Sequence, residues 1–290
     1  MKFYIISSFL IAPFLCFHAV VANPQSGQPK RVEIIGYDDD AMEPFISRDG
    51  RYLLFNNLNE PTTNTDIHFA ERLDDFRWRY RGKVKGVNTP DLAGCPTMDR
   101  NGRMFFVSPR NYPKTLCTIY TGLFKNGEVT DVQMVESISL KKPGIVNFDV
   151  DISPDGEMLI FVDSRFTPDA GPQYADLVIA LWDGTRFVRS PDSSRLLSQA
   201  NKTAALQYAP TISSNKLTLY FTRFDRHSDY KGPQIYCSVR PAMDAPFGLP
   251  AHVEGLGEYV EGTAFSPNER LLYFHRKDVK RFNLYAIAIR

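Results

Sequence analysis

Cysteine is scarce, and past the N-terminal apolar stretch it is odd in number. Of four cysteines, Cys16 lies in that stretch, leaving Cys95, Cys117 and Cys237. Three thiols cannot build a disulfide framework, so burial must hold the fold, which a domain of this size can achieve. Cys-x-x-Cys, His-Glu-x-x-His and Gly-x-Ser-x-Gly are all missing. Their absence removes the commonest redox, zinc-hydrolase and serine-hydrolase signatures. Excess charge is missing too: beyond residue 22 there are 33 basic and 33 acidic residues. That balance excludes nucleic acid or an anionic membrane surface as the main partner. Long helical patterns are absent, because 20 Pro and 18 Gly interrupt apolar runs that alternate or are short.

What is present begins with Met1 to Ala22, MKFYIISSFLIAPFLCFHAVVA. One Lys, an apolar stretch and then small residues are the layout of a secretory signal peptide cleaved after Ala22. The expected organisation is residues 1–22 signal peptide, 23–30 linker and 31–290 one domain. The protein is then periplasmic or secreted, a monomer, and without membrane insertion after cleavage.

Beyond the linker the chain repeats. Glu43-Pro-Phe-Ile-Ser-Arg-Asp-Gly-Arg-Tyr-Leu-Leu-Phe55 is echoed at Cys95–Val107, Asp149–Phe161, Ala209–Phe221 and Gly262–Phe274. The anchors Ser47, Asp99, Ser153, Ser213 and Ser266 are spaced by 52, 54, 60 and 53 residues. A period of this size marks a propeller or solenoid. Each unit has a short strand, an Asp-Gly or Asn-x turn, a β-branched and aromatic strand, then two further strands. Four antiparallel strands make a propeller blade. The fifth unit ends after its third strand, while a lone strand, Arg31-Val-Glu-Ile-Ile-Gly36, precedes the first. The expected fold is therefore an all-β, five-bladed β-propeller. Its ring is closed by that N-terminal strand completing the last blade, which removes exposed edges.

Ser153-Pro-Asp-Gly156 and Ser47-Arg-Asp-Gly50, each before an aliphatic-aromatic strand, resemble the TolB-type, WD-repeat-like propeller repeat of exported bacterial proteins. Val87-Asn88-Thr89 ahead of Pro96, and Asp66-Ile67-His68-Phe69, are similar to it as well. The resemblance spans nearly the whole chain after the signal peptide and implies a propeller exported to the envelope. Its motifs specify blades rather than a ligand.

Topology brings two sets of side chains to the end of the ring where inner strands begin. One is acidic: Glu43 and Asp149 stand four before their anchors and Glu261 five before its own. Such a trio suits glycoside hydrolysis, and resemblance to five-bladed invertase- and arabinanase-like hydrolases implies the same use. It equally suits a hard cation such as Ca²⁺, with no other metal or cofactor expected. Alternatively each acid caps a strand or meets a nearby Arg, and the one-residue offset could turn Glu261 away. The other set lies on or beside the loops after the second strands: Arg110, Arg165, Arg223, His227, Tyr208 and Arg276. Arginine forks bind carboxylates and aromatic rings stack on sugars, while the plainer reading is that these Arg bridge neighbouring blades. Cys95 and Cys117 read as small buried hydrophobes in one blade, too far apart to bridge. The leading functional expectation is an exported binding module for an envelope protein or carbohydrate. The alternative is a glycan-active hydrolase or lyase.

Overall fold

The computed structural model describes residues 25–59, 64–167, 171–201 and 204–289. The signal peptide expected over residues 1–22 lies outside them. Strand β1 (Gln25–Arg31) and strand β2 (Glu33–Ile35) lead into blade one, which is β3 (Met42–Ile46), β4 (Tyr52–Asn56), β5 (Ile67–Arg72) and β6 (Arg77–Lys83). Blade two is β7 (Gly94–Met98), β8 (Arg103–Val107), β9 (Ile119–Lys125) and β10 (Glu128–Met134). Blade three is β11 (Ile145–Ile152), β12 (Met158–Thr167), β13 (Gly171–Trp182) and β14 (Phe187–Arg189). Blade four is β15 (Leu206–Ile212), β16 (Thr218–Phe224), β17 (Gln234–Val239) and β18 (Ala251–His252). Blade five is β19 (Val260–Phe265), β20 (Leu271–Lys277), β21 (Phe282–Ile289) and, on its outer edge, β1.

The ring closes as expected, but with an earlier segment. Gln25 to Arg31, which the sequence assigned mostly to a linker, pairs antiparallel with β21 from Gln25↔Ile289 to Arg31↔Tyr285. The expected closing strand keeps one link to blade five, Val32 N–H to Leu284 O at 2.9 Å. Glu33–Ile35 then crosses to blade one and pairs in parallel with β6 as a fifth strand. Gln-Ser-Gly-Gln-Pro-Lys-Arg has no strand propensity of its own. It is a strand because β21 offers an open row of backbone donors and acceptors.

The repeat signature is a turn lock. In four blades the anchor Ser accepts from the backbone N–H five residues on and donates to the Asp or Asn two residues on. Ser47 (2.8 and 2.5 Å), Ser153 (2.9 and 2.6 Å), Ser213 (2.9 and 2.7 Å) and Ser266 (2.9 and 2.8 Å) all do this. In blade two the Asp99 carboxylate accepts from the N–H groups of Asn101 and Arg103 instead. Second strands are buried on both faces, so they read as unbroken apolar runs rather than alternating ones. Successive side chains serve different cores: Leu53 and Phe55 pack between blades five and one, Tyr52 and Leu54 between blades one and two. Five such inter-blade cores hold the ring.

Starting the chain at Val32 instead of Asn23 deletes β1. Loss of its backbone hydrogen bonds is expected to cost roughly 4 kcal/mol, or about 10 °C in Tm; calorimetry showing no change would separate ring stability from β1. His68 of β5 is buried, with Nδ1 2.8 Å from the Tyr80 hydroxyl and no partner for Nε2 among the described residues. Burial lowers its pKa to about 4. The unfolded chain therefore takes up the proton first, and stability is lost as pH falls from about 6.5 to about 4, by up to roughly 3 kcal/mol. His68→Phe is expected to remove that part of the acid sensitivity in urea titrations run across this window.

Candidate functional site

Every inner strand carries the same irregularity four residues before its anchor. Pairing slips between Met42 and Phe45, Gly94 and Thr97, Phe148 and Asp151, Tyr208 and Thr211, and Glu261 and Ala264. At each slip the first extra residue is left-handed: Glu43 (φ 49°), Cys95 (51°), Asp149 (46°), Ala209 (46°) and Gly262 (57°). Proline follows in three blades (Pro44, Pro96, Pro210), which a bulge allows because no ladder donor is needed there. Bulges re-aim side chains, and these five bulged residues line one central cavity of about 30 Å³.

The three acids converge. Oxygens of Glu43 and Asp149 with Cys95 Sγ lie within 4.8 Å of one another, as do Glu43, Glu261 and a His275 ring nitrogen. Glu261 is not turned away: it pairs across the strand with His275. Asp149 accepts from the Cys95 thiol at 2.8 Å and the Ala209 N–H at 3.1 Å. Glu261 accepts from the Tyr208 hydroxyl at 2.7 Å and His275 Nε2 at 3.1 Å. The Glu43 backbone N–H donates to His275 Nδ1 at 3.1 Å. That nitrogen must be the acceptor, so the ring carries its proton on Nε2. The Glu43 carboxyl itself receives no hydrogen bond among the described residues; its one ionic contact among them is His275 Nε2 at 4.0 Å.

Charge follows from this wiring. Burial, then the neighbouring Asp149 and Glu261, hold Glu43 well above the usual carboxylate range. Burial likewise lifts Asp149 to about 6, against the bonds from Cys95 and Ala209. Burial would also raise Glu261, but the bonds from His275 and Tyr208, with the Lys277 charge, hold it below its ordinary value. Burial and the facing acids push the Cys95 thiol up. Below the cavity, Asp151 accepts from Thr97 Oγ1 (2.6 Å) and the Ile212 N–H (2.9 Å) and lies 3.7 Å from Arg48. Arg48 also bonds Met98 O and Ile152 O, plugging the other side.

The loop residues divide. Arg110 stacks on Phe106 and Tyr120 and donates to Val87 O. Arg223 stacks on Tyr236 and donates to Ala200 O. Arg276 stacks on Tyr285 and donates to Leu256 O. All three tie a second strand to the segment entering its blade. In blade three, Arg189 from the outer strand does this through Ile138 O and Asp163, leaving Arg165 exposed. His227 is exposed, its backbone N–H bonded to Asp225. Tyr208 belongs to the central cluster.

Sequence reasoning did not single out Cys95 as a cavity residue, although its alignment with Glu43 and Asp149 was a usable signal. It also passed over Leu58, Leu140, Tyr174, Tyr259 and Val279, which are exposed apolar side chains of this end like Phe166 and Tyr230. Gly232 lets the Tyr259 ring lie against the blade-four loop, since a Cβ there would fall 2.7 Å from it.

No protein-family model and no curated protein sequence matches the chain. Solved structures similar to it include a glycoside hydrolase, with TM-score 0.61, 11% identity and 92% of both chains covered. Another is an exo-β-1,3-galactanase from Phanerochaete chrysosporium, with TM-score 0.55, 12% identity, 92% of this chain and 67% of that one. TolB from Acinetobacter baumannii aligns with TM-score 0.48 and 15% identity over 87% of this chain, which spans 55% of the TolB chain. At these identities the likeness is one of fold, a β-propeller.

Arg223→Ala is expected to destabilise by about 2 kcal/mol in urea unfolding, through lost stacking and the lost bond to Ala200 O. Arg165→Ala is expected to stay within about 0.5 kcal/mol. Equal effects would contradict the division drawn between them.

Proposed function

We propose that the protein is an exported, non-catalytic propeller that binds a protein or glycan of the cell envelope through its loop face. The observation that carries this reading is the size of the central cavity, about 30 Å³. That is room for a water molecule or two, whereas ligand pockets measure roughly 300–1,000 Å³. Glu43 stands within 4.8 Å of both Asp149 and Glu261, which leaves no room for a sugar ring between it and either acid. Asp149 and Glu261 are each held by two donors. Above this narrow centre, loops from several blades present apolar side chains to solvent, including Phe166, Tyr230 and Tyr259. Aromatic groups on loops carried by a rigid ring suit recognition. The leader-like N-terminus supports export. Among the described residues no helix is long and apolar enough to cross a membrane.

A hydrolase acting through Glu43, Asp149 and Glu261 is the second reading, favoured by the convergence of those three acids. The test is a panel of envelope polysaccharides and envelope proteins, assayed for binding and turnover with a cell-fractionation control. Binding without turnover is expected, weakened roughly tenfold or more in a Tyr230→Ala/Tyr259→Ala variant and unchanged in Trp182→Ala, at the opposite end of blade three. Turnover that disappears in Glu43→Gln would establish the second reading instead.

A further inference from the structure

The bulged residues of three neighbouring blades gather acidic groups with no cation to balance them. Glu43 is nine-tenths buried, with 10% of its side chain exposed, and its carboxyl points into the cavity without a donor. Among the described residues no Lys or Arg pairs with Glu43 or Asp149. The space its carboxyl occupies is kept by glycine at the aligned position of blade five. A Cβ on Gly262 would stand 2.4 Å from Glu43 Oε2. A buried carboxyl with neither donor nor counter-ion carries its charge only at high cost and keeps a proton instead; a bound cation would displace that proton and satisfy the group.

Two donor sets compete for such an ion. His275 is excluded from the first, Glu43 with Glu261 and His275. Its Nδ1 accepts the Glu43 N–H, so Nε2 holds the proton and has no lone pair to give. Glu261 is in turn occupied by that proton and by the Tyr208 hydroxyl. In the second set, Glu43, Cys95 and Asp149, every donor can be freed. Cys95 Sγ and Asp149 Oδ1 stand 2.8 Å apart around a thiol proton. Replacing that proton by a metal needs the pair to open to roughly 3.6 Å, the spacing of S and O donors in a tetrahedral zinc site. Glu43 and Cys95 keep some exposure, so an ion can reach the cluster from the loop face.

We propose that Glu43, Cys95 and Asp149 form a binding site for a borderline divalent transition-metal ion of the Zn²⁺ type. The fourth position is left to water. On binding, one metal–sulfur and two metal–oxygen bonds form, the Cys95 S–H and Glu43 O–H bonds break, and both protons leave to solvent with no change of oxidation state. One thiolate among carboxylates selects a softer ion than Ca²⁺ or Mg²⁺. The inference stands apart from whatever the loop face binds.

The test uses the chain from residue 23 onward, stripped with chelator and titrated with Zn²⁺ by calorimetry and with Cd²⁺ in the ultraviolet. One equivalent of Zn²⁺ is expected to bind, and Cd²⁺ to produce a thiolate-to-metal charge-transfer band. Cys95→Ser is expected to abolish the band and weaken Zn²⁺ binding at least about tenfold, as is Glu43→Gln for affinity; Cys237→Ser should change neither. Circular dichroism confirms that each variant is folded. Absence of Zn²⁺ binding, a band that survives Cys95→Ser, an affinity untouched by Glu43→Gln, or a preference for Ca²⁺ would each overturn the proposal.

Discussion

Five left-handed residues, one per inner strand, determine what the centre of this ring can be. A non-glycine residue in that conformation costs about 1 kcal/mol or more, and four of the five positions carry one. The strain persists because the second strands behind them are clamped between two apolar cores. The benefit is directional. A regular strand alternates its side chains between the faces of its own blade, whereas a bulge turns one residue toward the axis. What occupies that position in each blade (Glu, Cys, Asp, Ala, Gly) decides the chemistry of the cavity.

The two ends of the channel then differ in kind. On one side Arg48 and Asp151 are tied to backbone groups of neighbouring blades and act as a plug. On the other, the acids and Cys95 sit beneath loops that vary in length from blade to blade. The strain, the buried charge and the missing donor are concentrated in Glu43 and its neighbours. The bulk of the exposed apolar surface at this end lies on the loops above. A small, charged centre and a broad, mixed rim are suited to different partners, a small ion and a macromolecule.

The Ser-x-Asp-Gly pattern was legible because it performs one local task, locking a turn, and the same hydrogen bonds recur at Ser47, Ser153, Ser213 and Ser266. Blade number and the meeting of Glu43 with Asp149 follow from that alignment. Strand β1 was not legible, since its pairing is dictated by an open edge some 250 residues away rather than by its own side chains. Val32 to Ile35 looked like the closing strand because it is apolar; Val32 is buried at the junction, but the chain then turns to blade one. Arg110, Arg223 and Arg276 recur at one place in their blades, whereas in blade three Arg189 takes that role. Their stacking on Tyr120, Tyr236 and Tyr285 depends on third strands whose register a sequence does not reveal. Cys95 was judged by its residue type, whereas its position between Glu43 and Asp149 is what counts.

The most direct test of the whole account is a high-resolution crystal structure of the chain from residue 23 onward. It should show positive φ at Glu43, Cys95, Asp149 and Ala209, with their side chains closing one small cavity and β1 paired to β21. Inner strands running without bulges, with Glu43 and Asp149 facing each other across a channel wide enough for a sugar ring, would contradict it.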